Sequence, residues 1–142
     1  MNVRKSVKLV VSAILLAALM SALCVNIFAG NDLIAPAWNS ILSVKVDLNF
    51  DGNEGWASGE AIQKSTATAI DAYLYVYKLV EDEWVYVDGW YDLSFDGVLE
   101  MDKTFTGVSG VTYKAELIVT AYTGGFGKNP EKTTVERIKV CP

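Results

Sequence analysis

The stretch VDLNFDGNEG, Val46 to Gly55, sets Asp47, Asn49, Asp51 and Gly52 in the spacing D-x-N-x-D-G. Oxygen ligands at alternate positions followed by glycine at the sixth are how a helix–loop–helix calcium loop opens. Such a loop closes on a bidentate carboxylate at its twelfth position, which here is Ser58, and Glu60 comes two residues late. The preceding ILSVKV alternates and is rich in β-branched residues, unlike a helix. The same residues read more simply as the exposed side of a strand that ends in an Asp-Gly turn. The expectation is therefore no metal site and no cofactor. A weak calcium-binding module stays a minor alternative, because Asp47, Asn49, Asp51 and Glu54 gather oxygens near one turn.

The second chemically suggestive pattern is a row of phenols. In TAIDAYLYVYKLV, Tyr73, Tyr75 and Tyr77 alternate with Leu74 and Val76. On a strand, residues two apart project from one face, so the three rings form a platform. Such a platform stacks sugar rings or anchors a protein partner. It also serves ordinary cross-strand stabilisation, about 0.2–1 kcal/mol per pair.

Composition removes several chemistries. The chain has no histidine, which excludes His-based triads, histidine acid–base catalysis and imidazole metal ligands. Aspartate and glutamate are plentiful, but no pair stands apart as a glycosidase couple would. GGFGKNP, Gly124 to Pro130, lacks the strand-to-helix setting of a phosphate loop and reads as a recognition-type loop with Phe126 at its tip. The chain is read as non-enzymatic.

The first 29 residues have the parts of a secretory signal: Arg4, Lys5 and Lys8, then an apolar run from Leu9, then Ala29 before a cut. An uncleaved anchor is the alternative, since the run approaches the ~20 residues that span a bilayer. Cys24 follows Leu23, a poor lipoprotein site. The leader holds three of the 12 basic residues and none of the 17 acidic ones, so the rest carries 9 against 17, a net −8. A chain this acidic repels nucleic acid and anionic membrane. Membrane attachment is expected only through an uncleaved signal. With Cys24 gone, Cys141 is the remaining thiol and suggests a possible dimer through Cys141.

The elements that position these residues follow from the period-two pattern. Residues 30–39 read as a flexible lead-in, and 40–142 as seven strands. ILSVKVDLNF turns Leu42, Val44, Val46, Leu48 and Phe50 inward. Further strands begin at Trp56, at Thr68, at Trp84 (broken at Gly89), at Gly97 with Leu99 and Met101 inward, at Val111 and at Thr133. The sixth turns Tyr113, Ala115, Leu117, Val119 and Ala121 inward, and the seventh carries Val135, Ile138 and Val140. Trp56 and Trp84 read as core or edge packing, and Glu81–Glu83 as a solvated hairpin tip. Strands at spacings of about 10 to 15 residues with Gly and Asp turns predict an antiparallel β-sandwich.

Two segments carry a resemblance. YLYVYKLVEDEWVYVDGW resembles the strand–turn–strand of fibronectin type III and related immunoglobulin-like domains, and GVTYKAELIVTAY resembles their sixth strand. Over Ser40 to Val140 the chain is also similar to uncharacterised small secreted proteins of Gram-positive bacteria, through YLYVYK, then Trp84, Val87 and Trp90, then FTGVSGVTYKAELIVTAYTGG. Some of these carry a cysteine on the second strand, where this chain has Ile62 and Gln63. The resemblance implies a seven-stranded antiparallel immunoglobulin-like sandwich after an N-terminal signal helix. Tyr113 would be a corner tyrosine whose hydroxyl bonds to the backbone upstream. It also implies that the sixth strand lies beside the third, so Lys114, Glu116, Ile118, Thr120 and Tyr122 border the phenol row, with Trp90 and Tyr91 added to it. The expected function is an exported non-catalytic binding or interaction module, secreted or at the cell surface. Its ligand would be a glycan or protein, held by Tyr73, Tyr75, Tyr77, Trp90 and Tyr122. The alternative is a structural cell-envelope protein that self-associates through the same face.

Overall fold

A computed structural model describes residues 38–142. The expected signal at 1–29 and most of the lead-in at 30–39 lie outside the described residues. Seven antiparallel strands follow one another: β1 (Ile41–Asp51), β2 (Glu54–Gln63), β3 (Ala69–Val80), β4 (Glu83–Ser94), β5 (Val98–Thr106), β6 (Thr112–Tyr122) and β7 (Pro130–Val140). They form two sheets, one ordered β1-β2-β5 and the other β4-β3-β6-β7. There is no helix among the described residues.

Alternation decides which side of each strand is dry. On β3, Ile70, Ala72, Leu74 and Val76 are buried, and on β6 so are Tyr113, Ala115, Leu117, Val119 and Ala121. Leu48, Ala57, Ala61, Leu99, Met101 and Phe105 close the core from the other sheet. Gly59 lets the sheets approach, since a Cβ added there would lie 2.7 Å from Leu117 Cδ1; within one sheet, Gly55 makes room for the ring of its β5 partner Phe105, which a Cβ would meet at 2.5 Å. Burying each large aliphatic chain contributes about 1.5–3 kcal/mol, so these inward rows hold the sandwich closed.

Tyr113 sits at one end of the core, 1% exposed. Its ring packs against Phe50 and Phe105, with centroids 5.4 Å away in each case. The Val108 N–H donates to its hydroxyl at 3.0 Å, so one side chain ties the β5–β6 turn to the core. Cys141 is fully buried at the same end, with its Sγ 3.5 Å from the Gly52 carbonyl oxygen. An intermolecular disulfide through this thiol therefore requires the C-terminus to detach first.

One inward assignment changes, and four large residues whose facing the sequence left open turn outward. Leu42 is exposed because the β1–β2 register shifts between Ile41 and Ser43, which sends Ile41 inward instead. Trp56 and Trp84 are exposed on the outer faces and contribute nothing to the core. Ile138 and Val140 also point outward, on the edge strand β7, leaving Val135 to pack inward.

Candidate functional site

The outer face of the four-stranded sheet is where the aromatic residues collect. Tyr73, Tyr75 and Tyr77 project from β3 as the alternation predicts. In the ladder, Tyr73 lies opposite Tyr91 of β4 and Ile118 of β6, Tyr75 opposite Gly89 and Glu116, and Tyr77 opposite Tyr86 and Lys114. Tyr73 and Tyr75 stack with centroids 5.8 Å apart and planes 12° from parallel. Tyr73 meets Tyr91 at 4.8 Å. Tyr86 packs edge-on against Tyr75 and Tyr77 at 6.3 and 6.2 Å.

Local backbone features build this row. The β3–β4 turn places Glu81 and Asp82 at φ 50° and 67°, the pair of positive values of a two-residue hairpin whose twist matches the strands. The ladder then slips between Val76 and Tyr77: Asp88 faces Val76, Tyr86 faces Tyr77, and Val87 is the extra residue. The slip reverses the facing of β4, so Tyr86 on one side of it and Tyr91 on the other both reach the outer face. Gly89 matters because the Tyr75 ring lies over it. A Cβ there would be 2.5 Å from Tyr75 Cδ1.

Trp90 departs from expectation. It pairs with Leu74 and packs against the core, so it supports the row from beneath and is not part of its surface. Its neighbour Tyr91 takes the outward place. Tyr86 escapes a reading of the sequence, because its facing depends on the slip at Val87. Trp84 completes the row beyond Tyr77.

The two ends of the row differ electrostatically. At one end the Lys114 ammonium lies 4.9 Å from the Tyr77 ring centre and 5.2 Å from that of Trp84. It also pairs with Glu116 at 3.5 Å and Glu136 at 3.6 Å. Burial, followed by the Glu116 charge and hydrogen bond, pushes the Tyr77 phenol up from its ordinary value. At the other end stands Asp71, on the same side of β3 but only 5% exposed. Tyr122 and Tyr91 donate their hydroxyls to its Oδ2 at 3.0 and 3.4 Å. Both phenols are raised, first by burial and then by Asp71. Asp71 Oδ1 is buried without any hydrogen-bond partner. Tyr122 also meets Phe126 edge-on at 4.9 Å, and Phe126 reaches Phe95 at 6.5 Å. The glycine loop after β6 thus folds its exposed phenylalanine back onto the phenol row.

The calcium spelling on β1 has other partners. Asp47 Oδ2 accepts from the Asn49 amide at 2.9 Å, Asn49 Oδ1 accepts from Lys139 at 2.8 Å, and Arg137 approaches Asp47 at 3.9 Å. Two cations of β7 thus face the pair. No group of three or more potential acidic or thiol ligands gathers at metal distance among the described residues.

Compared with family models, curated proteins and solved structures, the chain matches none of them. Its function is therefore read from the chemistry of this face.

Proposed function

We propose that this protein is an exported, non-catalytic binding module that presents the outer face of the β4-β3-β6-β7 sheet to a glycan or protein, in secreted form or at the cell surface. The observation that carries the reading is the contiguous run of rings from Tyr77 through Tyr86, Tyr75 and Tyr73 to Tyr91, extended to Trp84 by the Lys114 ammonium over both Tyr77 and Trp84. Six of the seven tyrosines of the chain stand on this face, and only Tyr113 is in the core. Rings held side by side on a rigid sheet offer apolar area at little entropic cost, rimmed by hydroxyls and carboxylates that fix orientation. The basic start and apolar run of residues 1–29 support export.

We read the sandwich as immunoglobulin-like. Two observations support this: the strand order β1-β2-β5 against β4-β3-β6-β7, and the Val108 N–H bond to the Tyr113 hydroxyl, which is the corner contact the resemblance implies.

The test is retention of the purified protein on an array of glycans and extracellular proteins, compared with Tyr75→Ala. Wild-type retention that this substitution abolishes supports the reading. Sedimentation of the same samples separates the alternative: a stable dimer that shields these tyrosines makes the protein a self-associating envelope component instead.

A further inference from the structure

The Lys114 end of the face shows a complete cation site of the chain's own: an ammonium over two rings, with carboxylates beside it. The Asp71 end repeats the surroundings without the cation. Tyr73 and Tyr91 meet at 4.8 Å beside it, and Tyr91 and Tyr122 spend their protons on Asp71 Oδ2. Each phenolic oxygen therefore keeps acceptor capacity, polarised by the carboxylate it donates to. Asp71 makes no ion pair among the described residues, and its second oxygen is buried and unpartnered. A buried carboxylate in this state is costly unless a positive charge comes to it.

On the β4 side the charge has one sign, whereas on the other side Lys132 of β7 lies opposite Thr120, the β6 partner of Asp71. From Leu79 to Asp102 the chain carries Glu81, Asp82, Glu83, Asp88, Asp92, Asp96, Glu100 and Asp102 and no lysine or arginine. Most of these acids lie on or beside β4, whose outer edge pairs with no other strand among the described residues. The charge is spread along a 12-residue strand at about 3.4 Å per residue, which suits an extended polycation better than a single small cation.

We propose that the Asp71 end of the face receives the ammonium of a lysine side chain, presented by an extended basic segment of an extracellular protein that runs along β4. The inference rests on the binding-face reading and specifies its ligand. The ammonium lies on Tyr73 and Tyr91, as Lys114 lies on Tyr77 and Trp84, and its N–H groups donate to the Tyr91 and Tyr122 oxygens. Cation–π attraction and the charge of Asp71 act together there.

The test is titration of the full protein with octalysine, a fully deacetylated glucosamine hexamer and a neutral cellohexaose, followed by the tyrosine ring signals and the lysine ε-methylene shift. The expected result is octalysine binding with upfield-shifted ε-methylene protons, weakened about tenfold by Asp71→Asn. That substitution keeps the shape and an acceptor and removes only the charge. Tyr91→Ala, at an exposed edge position, should weaken binding similarly, whereas Asp51→Asn on the other sheet should leave it unchanged. Equal losses from Asp51→Asn and Asp71→Asn would mean diffuse attraction by an acidic protein and overturn the site. Tighter binding of the glucosamine hexamer would overturn the protein source. Tyr75-dependent binding of cellohexaose with octalysine inert would overturn the cation and leave the binding face standing. Silence of all three probes, together with an array unaffected by Tyr75→Ala, would remove both.

Discussion

Gly89 is the point at which the proposed binding face can be disturbed with least effect on the core. A Cβ built there lies 2.5 and 2.8 Å from Tyr75 Cδ1 and Cε1 and 3.1 Å from the Tyr86 hydroxyl oxygen. Carbon contacts normally settle at about 3.5–4.0 Å, so Gly89→Ala must push the Tyr75 ring away by about 1 Å. The ring lies on the outer side of the sheet, so the push moves it away from the core and not into it. It then leaves the stack with Tyr73, forfeiting about 0.5–1.5 kcal/mol of aromatic pairing. Against this, Gly89 is not at positive φ, and alanine restricts the unfolded chain, a gain of about 0.4–1 kcal/mol. The net loss of stability is small, from near zero to about 1 kcal/mol. Gly59→Ala is the counterpart. Its Cβ meets Leu117 Cδ1 at 2.7 Å and Cδ2 at 3.0 Å between the sheets, where overpacking costs about 1–3 kcal/mol. Urea denaturation of both variants, paired with the array assay, separates the effects. Gly89→Ala should keep most of its stability and lose retention; Gly59→Ala should lose stability and keep retention below its melting temperature. Full retention by Gly89→Ala, or a stability loss as large as that of Gly59→Ala, would refute this account of the row.

Tyr113→Phe keeps the ring contacts and strands the Val108 N–H, so thermal unfolding should show a loss of about 1 kcal/mol, or about 4–8 °C; an unchanged melting temperature would mean the hydroxyl does not brace this corner. Burial alone would raise the Glu131 carboxyl, but the backbone N–H groups of Asn39 and Ser40 outweigh it and hold it below the ordinary range. Its stabilisation is therefore present above the unfolded value near 4.5 and is lost as pH falls through the lower folded value. Amide exchange at Asn39 and Ser40 should accelerate in acid, and Glu131→Gln should flatten that dependence. Cys141, being fully buried, should react with a thiol reagent only at the rate at which its end of the sandwich opens, and mild denaturant should speed labelling in step with unfolding.

The inward rows were legible because a residue's facing on a regular strand depends only on parity. Ile70 to Val76 and Tyr113 to Ala121 therefore fall where the alternation puts them, and with them the outward Tyr73, Tyr75 and Tyr77. Errors sit where the ladder slips or the chain runs along an edge. At Ile41–Ser43 the shift exchanges Ile41 for Leu42, and at Val87 it lets both Tyr86 and Tyr91 face out while Trp90 turns in. The first shift has no local sequence mark; the second lies beside Asp88-Gly89, where the sequence marks a break but not which rings it turns outward. Asp71 was hidden for another reason. Its parity was right for the outer face, but its burial comes from Tyr91 and Tyr122, residues 20 and 51 positions away in the chain. Only the pairing of three strands brings them together. The D-x-N-x-D-G spelling lies on a strand that alternates and then turns, with the cations of β7 beside it.

The central claim is that the outer sheet face is the binding surface, and the tyrosine rings report on it directly. With ring-labelled tyrosine the protein gives seven signals, one for each tyrosine in the chain. On addition of a partner retained on the array, the signals of Tyr73, Tyr75, Tyr77, Tyr86, Tyr91 and Tyr122 should move while that of buried Tyr113 stays still. Binding that leaves the six unmoved, or that shifts residues of β1, β2 and β5 instead, would contradict the account.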